Sequence, residues 1–182
     1  MNSIWFKLSL FAFAIFIGTI GIFSGQFQSE TPETNKTAEL DQGRKESIGN
    51  VQNWKGSSVE LNSLMGNATL ISFWATWCGP CLVELPTLKP LHEKLGKKGL
   101  KIIAINVDEP STKMSSIKDY WSTLELPFDP YFDMRKEMMD KFKVNVLPAN
   151  FVLDKEGKVA FVANGANDWS HPRSVQLIED LL

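Results

Sequence analysis

Cysteine and histidine are both scarce in this chain of 182 residues, which contains two of each. The two cysteines, Cys78 and Cys81, are near neighbours, so no framework of disulfides joins distant parts of the fold. A zinc site needs further ligands, but His92 and His171 lie far apart in the sequence and lack the usual spacing. The formal net charge of −2 gives no electrostatic reason to expect nucleic-acid binding. Stability must therefore come from an apolar core in one globular domain.

Charge is nearly absent from one stretch close to the N-terminus. Residues 4–23 are apolar except for Lys7 and a few small polar residues, and residues 8–23 carry no charge. This is about the length that spans a bilayer, roughly 20 residues. Lys7 precedes the uncharged run, whereas Glu30 and Glu33 follow it, so the charge bias favours a cytoplasmic N-terminus with the remaining chain outside.

The chain divides into three parts around this run. Residues 1–25 are predicted to be an uncleaved membrane anchor, with a cleaved signal segment as the alternative, although Ser24-Gly25 is a poor cleavage site. Residues 26–47 are rich in polar residues and predict a flexible tether. Residues 48–182 form the predicted domain, which either reading of the N-terminus places outside the cytoplasm.

The first half of this domain shows the pattern of a βαβ unit. Strands at Val51–Trp54 and Ser58–Leu61 flank a Lys-Gly-Ser turn and predict a leading β-hairpin. The apolar runs Leu70–Ala75 and Leu100–Val107 have the length of strands, and a helical stretch from residue 78 to about 97 separates them. Such a unit places its two strands parallel in one sheet.

The second half shows a ββα pattern. It is predicted to contain a helix over Ser111–Leu124, a helix capped by Asp133, a hairpin of strands Asn150–Leu153 and Lys158–Ala163, and a last helix from Pro172.

Two prolines fall inside the helical stretch of the first half. Pro86 and Pro90 each remove a backbone hydrogen-bond donor and predict kinks there. Pro90 is the expected point for the helix to split.

The most informative motif is Cys78-Gly79-Pro80-Cys81, which lies where the apolar run gives way to the helical pattern. Two thiols at a helix start can make and break one disulfide. The segment from Phe73 to Cys81, FWATWCGPC, resembles the active-site segment of the thioredoxin superfamily almost residue for residue. The leading hairpin and the inserted segment 108–132 are similar to the membrane-anchored TlpA/ResA-like branch. The resemblance covers residues 48–182 and implies an α/β thioredoxin-like fold, a central mixed sheet flanked by helices, here preceded by one transmembrane helix.

The two thiols are expected to differ in their role. Cys78 lies at or just before the first helical turn, where free N–H groups and the helix dipole favour a thiolate, so it is the predicted nucleophile. Cys81 lies one turn further in and is the predicted resolving thiol. A purely structural Cys78–Cys81 disulfide is the alternative, but so small a loop brings little stabilisation from chain entropy.

Glu84 falls on the apolar face of the same helix. At about 100° per residue it shares an arc with Cys81, Leu91 and Leu95, which directs its carboxyl toward apolar surroundings. Burial would raise its pKa and suit it to accept the proton of Cys81, whereas the alternative is an exposed acid that complements the helix dipole. Thioredoxins carry a buried Asp where this chain has Ser72, and TlpA/ResA-like proteins carry a Glu three residues after the second cysteine. The resemblance therefore assigns the proton acceptor to Glu84.

The resemblance also implies a client-binding surface around the dithiol. In the family a cis-proline faces the thiols and offers the preceding backbone to an extended substrate, and Leu147-Pro148 holds that place here. A trans Pro148 that opens the next strand is the alternative, and Leu147 departs from the Thr or Val of many relatives. Trp77, Gly79 and Pro80 are the other expected contacts of a client, since glycine permits close approach.

Motif and resemblance together predict a thiol:disulfide oxidoreductase on the periplasmic side of a bacterial cytoplasmic membrane. Gly-Pro between the cysteines favours a reductant of protein disulfides, and the resemblance suggests apocytochrome c as one client. Electrons are expected from a membrane thiol carrier, because no cytosolic donor reaches an exported domain, and no cofactor is expected. The alternatives are a disulfide oxidant or isomerase, a carrier of copper or another metal that uses the same thiols, and a binding module without catalysis.

Overall fold

The computed structural model describes residues 48–182. The predicted anchor at residues 1–25 and the predicted tether at residues 26–47 lie outside the described residues. Between residues 48 and 182, no helix has both the length and the apolar character needed to cross a bilayer.

Seven strands of the described residues form one mixed sheet. In chain order they are β1 (Asn50–Gln52), β2 (Ser58–Glu60), β3 (Ala68–Trp74), β4 (Leu100–Asn106), β5 (Tyr131–Phe132), β6 (Ala149–Leu153) and β7 (Val159–Asn164). Their order across the sheet is β2-β1-β5-β4-β3-β6-β7. β4 is parallel to β3 and β5, whereas the β1–β2, β1–β5, β3–β6 and β6–β7 pairs are antiparallel. The predicted leading hairpin, parallel βαβ pair and closing hairpin are confirmed.

Five α-helices and three short 3₁₀ turns occur in the described part of the chain. The helices are α1 (Gly79–Glu84), α2 (Leu88–Leu95), α3 (Met114–Thr123), α4 (Glu137–Lys141) and α5 (Pro172–Glu179). The 3₁₀ turns are Leu61–Leu64, Leu85–Thr87 and Gly96–Lys98. Helix α3 lies in the inserted segment 108–132, as the sequence predicted, and strand β5 at its end was not predicted.

Strand β3 explains where the dithiol lies. All seven of its residues are buried, because it is flanked by β4 and β6 near the middle of the sheet. Strands buried on both faces read as continuous apolar runs rather than alternating ones. The chain leaves β3 at Trp74 and reaches Cys78 four residues later, so the dithiol lies at the carboxyl ends of the parallel strands β3 and β4.

The helical stretch predicted from residue 78 to about 97 is divided into two helices. Helix α1 ends at Glu84, a 3₁₀ turn containing Pro86 follows, and α2 begins at Leu88. Pro90 is the third residue of α2. Because N–H groups in the first turn of a helix have no partner within it, Pro90 causes no break there. The interruption lies at Pro86 and not at Pro90.

We expect Pro90→Ala to lower the free energy of unfolding by less than about 1 kcal/mol. The alanine regains no helical hydrogen bond at this position, so the change acts mainly through the entropy of the unfolded chain. Urea denaturation of the two proteins measures the difference. A loss of several kcal/mol would contradict the placement of Pro90 in the first turn.

The caps of the later helices follow their predicted signals. Both Met138 N–H and Met139 N–H donate to Asp133 Oδ2 at 2.9 Å, so Asp133 caps α4. The side chain of His171 caps α5 by accepting from Arg173 N–H. These caps fix α4, which follows β5, and α5, which closes the described chain.

Candidate active site

Cys78 and Cys81 form a disulfide at the start of α1. Their Cα atoms are 5.3 Å apart, and Cys81 N–H donates to Cys78 Sγ at 3.3 Å. Cys78 retains 5% of its surface accessible, whereas Cys81 has none. Cys78 is therefore the more accessible of the two cysteines, while the order of attack stays a prediction.

The Glu84 carboxyl is buried at the end of the helix that carries Cys81. Only 2% of the residue is exposed, so the alternative of an exposed acid is wrong. Its Oε1 accepts from Ser72 Oγ at 3.3 Å, and its Oε2 accepts from Asn150 Nδ2 at 3.1 Å and from Asn167 N–H at 2.7 Å. Ser72 and Asn150 face each other across the β3–β6 pair. Two strands and the loop after β7 thus hold one carboxyl.

Burial determines the electrostatics of this carboxyl. It raises the pKa of Glu84, and the hydrogen bonds from Asn167, Asn150 and Ser72 oppose that rise without cancelling it. Glu84 is three residues after Cys81 on α1, a spacing that puts two Cβ atoms about 5–6 Å apart on one helix face. A buried carboxyl of raised pKa beside a buried cysteine can take up or release a proton during thiol chemistry.

The loop between β7 and α5 is joined to the same helical region. Trp169 N–H donates to Thr87 Oγ1 at 3.1 Å, and Thr87 Oγ1 donates to the Glu84 carbonyl at 2.7 Å. The Trp169 side chain is fully buried. Together with the bond from Asn167 N–H, these contacts fix the loop against the residues that follow the dithiol.

A second buried acid, Asp108, holds the segment that leads into the dithiol. Its Oδ1 accepts from Thr76 Oγ1 at 2.8 Å, and its Oδ2 accepts from Thr76 N–H at 3.0 Å and from Asn106 Nδ2 at 2.7 Å. Asp108 is 1% exposed. Because Thr76 lies two residues before Cys78, Asp108 fixes the approach to the nucleophile from the end of β4.

A groove of about 600 Å³ opens beside Cys78. Trp77, Gly79, Pro80 and Leu147 line it, so the structure brings together four of the residues predicted to contact a client. Trp77 is 68% exposed, an unusual degree for tryptophan. Such a side chain beside a reactive sulfur offers an apolar surface to a partner.

The far wall of the groove is formed by the segment before Pro148. The Leu147-Pro148 peptide bond is cis, as predicted, and Pro148 itself is buried. Val146 and Met139 add apolar surface, and Val146 is 51% exposed. Cys81 and Glu84 are absent from the described lining of the groove, and both are buried.

Glu109 and Lys136 contribute the charged part of this lining. Lys136 Nζ lies 2.5 Å from Glu109 Oε1 and forms an ion pair with it. Lys136 adopts a left-handed backbone conformation with φ of +60°, which is uncommon outside glycine. The pair joins the segment before α4 to the segment after β4 at the edge of the groove.

Sequence reasoning did not find Asn150, Asn167 or Asp108. A polar residue within an apolar strand marks Asn150, and an acid directly after the apolar run of β4 marks Asp108. These signals identify buried polar groups that need partners. No comparable signal marks Asn167, which acts through its backbone.

A model of the AhpC/TSA family matches residues 46–162, which is more than half of the chain. The chain belongs to this family. As an AhpC/TSA family protein it is 30% identical over 147 residues to the "Thiol-disulfide oxidoreductase ResA" of Bacillus thuringiensis subsp. konkukian, covering 80% of this chain and 79% of the relative. The TlpA/ResA-like resemblance predicted from the motif is confirmed.

Two further comparisons support the family and the fold. The protein is 34% identical over 109 residues to the ResA of Bacillus cereus, a match that covers 60% of this chain and only 61% of the relative's length. A thiol:disulfide interchange protein of the thioredoxin family from Chlorobium tepidum superposes with a TM-score of 0.59 at 24% identity, covering 71% of this chain and 91% of the other. The fold is thioredoxin-like.

Proposed function

We propose that this protein is a thiol:disulfide oxidoreductase that reduces disulfides in client proteins outside the cytoplasm. The observation that carries the proposal is the Cys78–Cys81 disulfide, whose outer sulfur borders an apolar groove and whose inner sulfur lies one helical turn from the buried Glu84. A disulfide with a purely structural role would need neither the groove beside Cys78 nor the buried carboxyl of Glu84. Similarity to thiol-disulfide oxidoreductases supports the same chemistry.

In the reduced protein, the Cys78 thiolate attacks a disulfide of the client. A mixed disulfide forms between Cys78 and one client sulfur, and the other client sulfur leaves as a thiolate. Cys81 then attacks Cys78 Sγ, which restores the Cys78–Cys81 disulfide and releases the second client thiolate. Two electrons pass from the protein to the client, which ends as a dithiol.

Glu84 is the proposed acceptor of the Cys81 proton. Only the thiolate attacks, so Cys81 must lose its proton before it can resolve the mixed disulfide. Burial raises the pKa of the Glu84 carboxyl, which brings it closer to that of a thiol and makes proton transfer from Cys81 less unfavourable. When the protein is reduced again, Glu84 returns this proton to the Cys81 thiolate that leaves the disulfide.

The client is proposed to lie in the groove as an extended segment. Trp77, Gly79, Pro80 and Leu147 would contact it from the lining of the groove, whereas the buried Pro148 would act by holding Leu147 in place. Edge-on pairing with an extended backbone is a common mode of peptide recognition. An apolar residue beside the client cysteine suits the exposed Trp77 and Val146.

The membrane location is part of the proposal. The apolar run in residues 1–25 supports a single-pass anchor in a bacterial cytoplasmic membrane, with residues 26–47 as the tether of a periplasmic domain spanning 48–182. A membrane thiol carrier would then return the two electrons. Reduction of apocytochrome c for haem attachment is one proposed client task, which rests on the resemblance to the TlpA/ResA-like branch.

Cys81→Ser tests the proposal by trapping the client. Without the resolving thiol the mixed disulfide persists, so we expect a Cys78-linked client on non-reducing gels of cells that produce the full chain. The double variant Cys78→Ser/Cys81→Ser is the matched control and should trap nothing. Failure to trap any protein would contradict catalysis by Cys78, and mass spectrometry of a trapped one names the client.

Equilibration of the purified protein with glutathione tests the direction of transfer. A reductant should hold its dithiol only in strongly reducing mixtures, because its disulfide form is the favoured one. A strongly oxidising potential would overturn the assignment as reductant and favour an oxidant. Stoichiometric copper or zinc in the native protein would instead favour a metal carrier.

A further inference from the structure

The buried side-chain amide of Asn150 uses only one of its two polar ends. Its Nδ2 donates to Glu84 Oε2 at 3.1 Å, whereas its Oδ1 has no hydrogen-bond partner among residues 48–182. Asn150 is fully buried. A buried carbonyl oxygen without a donor costs about 1–3 kcal/mol, so this acceptor calls for a role.

The surroundings of Asn150 make it conspicuous. It is the only polar residue of β6, whose other members Ala149, Phe151, Val152 and Leu153 are all buried and apolar. An apolar residue of similar size would suit this strand better. Asn150 also lies two residues after Pro148, so it links the wall of the groove to the buried carboxyl of Glu84.

The partners of Glu84 differ in what they can offer it. An ionised carboxyl only accepts hydrogen bonds, whereas a protonated one must also donate its O–H. The backbone N–H of Asn167 can only donate, so it serves the ionised form. The Ser72 hydroxyl can donate or accept, but its contact with Oε1 is the longest of the three at 3.3 Å. An asparagine amide has a donor and an acceptor at equivalent positions, and a half-turn about its Cβ–Cγ bond exchanges them.

We propose that Asn150 is a positioning residue for proton transfer, which holds the ionised Glu84 carboxyl through Nδ2 and the protonated one through Oδ1. When Cys81 gives up its proton to Glu84, the S–H bond breaks, an O–H bond forms on the carboxyl, and that O–H donates to Asn150 Oδ1. No other covalent bond changes, and the hydrogen bond from Asn150 Nδ2 to the carboxyl is replaced. The role deepens the proposed function and rests on it, because it requires Glu84 to change its charge during turnover.

The groups that hold the Glu84 carboxyl are uncharged, so its titration can report on the hydrogen bond to Asn150. Its carboxyl is held by uncharged groups, Ser72 from β3, Asn150 from β6 and Asn167 from the loop, and burial and hydrogen bonds alone shift its titration. The thiols on its own helix are joined as a disulfide in the oxidised protein and do not titrate. A change in the Glu84 titration therefore reports its hydrogen bonds.

Asn150→Leu removes both polar ends at similar size. The hydrogen bond to the ionised carboxyl is the stronger of the two that are lost, so the titration midpoint of Glu84 should rise by about half to one pH unit, three- to tenfold in proton affinity. Carbon-13 NMR of the side-chain carboxyl measures it in the oxidised full chain. In the native protein the NMR signals of the Asn150 side-chain amide should shift with pH at the same midpoint as the Glu84 carboxyl.

A double-mutant cycle separates positioning from a general structural effect. We expect Asn150→Leu to slow the resolution step and move its pH profile in the native background, and to change neither in a Glu84→Gln background. Equal effects in both backgrounds would overturn the inference. If the leucine variant does not fold, Asn150→Asp keeps the size and polarity, and two carboxyls that share a proton should raise the midpoint further.

The NMR measurement also keeps this inference distinct from the proposed function. An unchanged Glu84 midpoint in both Asn150 variants overturns the positioning role, even in a protein that reduces clients normally. A raised midpoint in a protein that exchanges no disulfides supports the contact but overturns the proposed oxidoreductase, and with it the role of Asn150 in turnover.

Discussion

Glu84→Gln is expected to slow the resolution of the mixed disulfide by about a hundredfold or more near neutral pH. General-base assistance typically contributes factors of about 10²–10⁴, and an amide cannot accept the Cys81 proton. The attack by Cys78 on the client should change much less. Rapid-mixing kinetics with a model disulfide separates the two steps, since the first releases one client thiol and forms the mixed disulfide, and the second breaks the mixed disulfide and releases the other client thiol.

The same variant should change how stability depends on pH. Because burial raises the pKa of folded Glu84, the folded protein holds its proton at pH values where the unfolded chain has lost it. The free energy of unfolding of the native protein should therefore decrease as the pH rises from the ordinary carboxyl range through the raised pKa. Glu84→Gln lacks this contribution, so its urea midpoint should depend less on pH over that range.

Glu93→Gln is the matched control for both measurements, because Glu93 is an exposed carboxyl on α2. It should leave the resolution rate and the pH dependence of stability as they are. The glutamine at position 84 keeps the shape of the native side chain, and its amide can donate to the free Asn150 Oδ1. Unchanged resolution in a folded Glu84→Gln protein would remove Glu84 from the mechanism.

Asp108→Ala is expected to lower the free energy of unfolding by about 3–5 kcal/mol. The substitution leaves Thr76 N–H, Thr76 Oγ1 and Asn106 Nδ2 without their acceptor, and each buried donor left unsatisfied costs about 1–3 kcal/mol. A domain of this size has a total stability of only about 5–15 kcal/mol. Reduction of clients should slow as well, since the segment before Cys78 loses its support.

Two neighbouring substitutions show whether the effect belongs to the Asp108 contact. Thr76→Val removes only the hydroxyl bond and should cost about 1 kcal/mol. Glu109→Ala removes an adjacent acid that is 61% exposed and should change stability by less than about 0.5 kcal/mol. Urea denaturation measures all three. Equal losses for Asp108→Ala and Glu109→Ala would contradict the assigned role of the buried carboxyl.

Most of the fold could be predicted because its signals are local. The apolar runs of β3 and β4, the turn of the leading hairpin and the motif at Cys78 each lie within a few residues of chain. Kinks were predicted at both Pro86 and Pro90, but the split was assigned to Pro90 and lies at Pro86, since the cost of proline depends on its position in the helical turn. That position is known only once the helix start is known.

The candidate site could be predicted only in part, because many of its contacts join residues that are far apart in the sequence. Helical periodicity brings Cys81 and Glu84 to one face, so the buried acid followed from the sequence. The groups that hold it come from far along the chain, with Asn150 and Asn167 66 and 83 residues away from Glu84. Such contacts depend on strand register and loop placement, which a single sequence does not specify.

The ion pair of Glu109 and Lys136 has a consequence for the choice of clients. These two residues supply the charges of the groove lining, and they neutralise each other. Electrostatic steering accelerates association and makes it sensitive to ionic strength. A groove without net charge lacks that acceleration and also lacks that sensitivity. We therefore expect the rate of client binding to depend little on the client's net charge or on ionic strength.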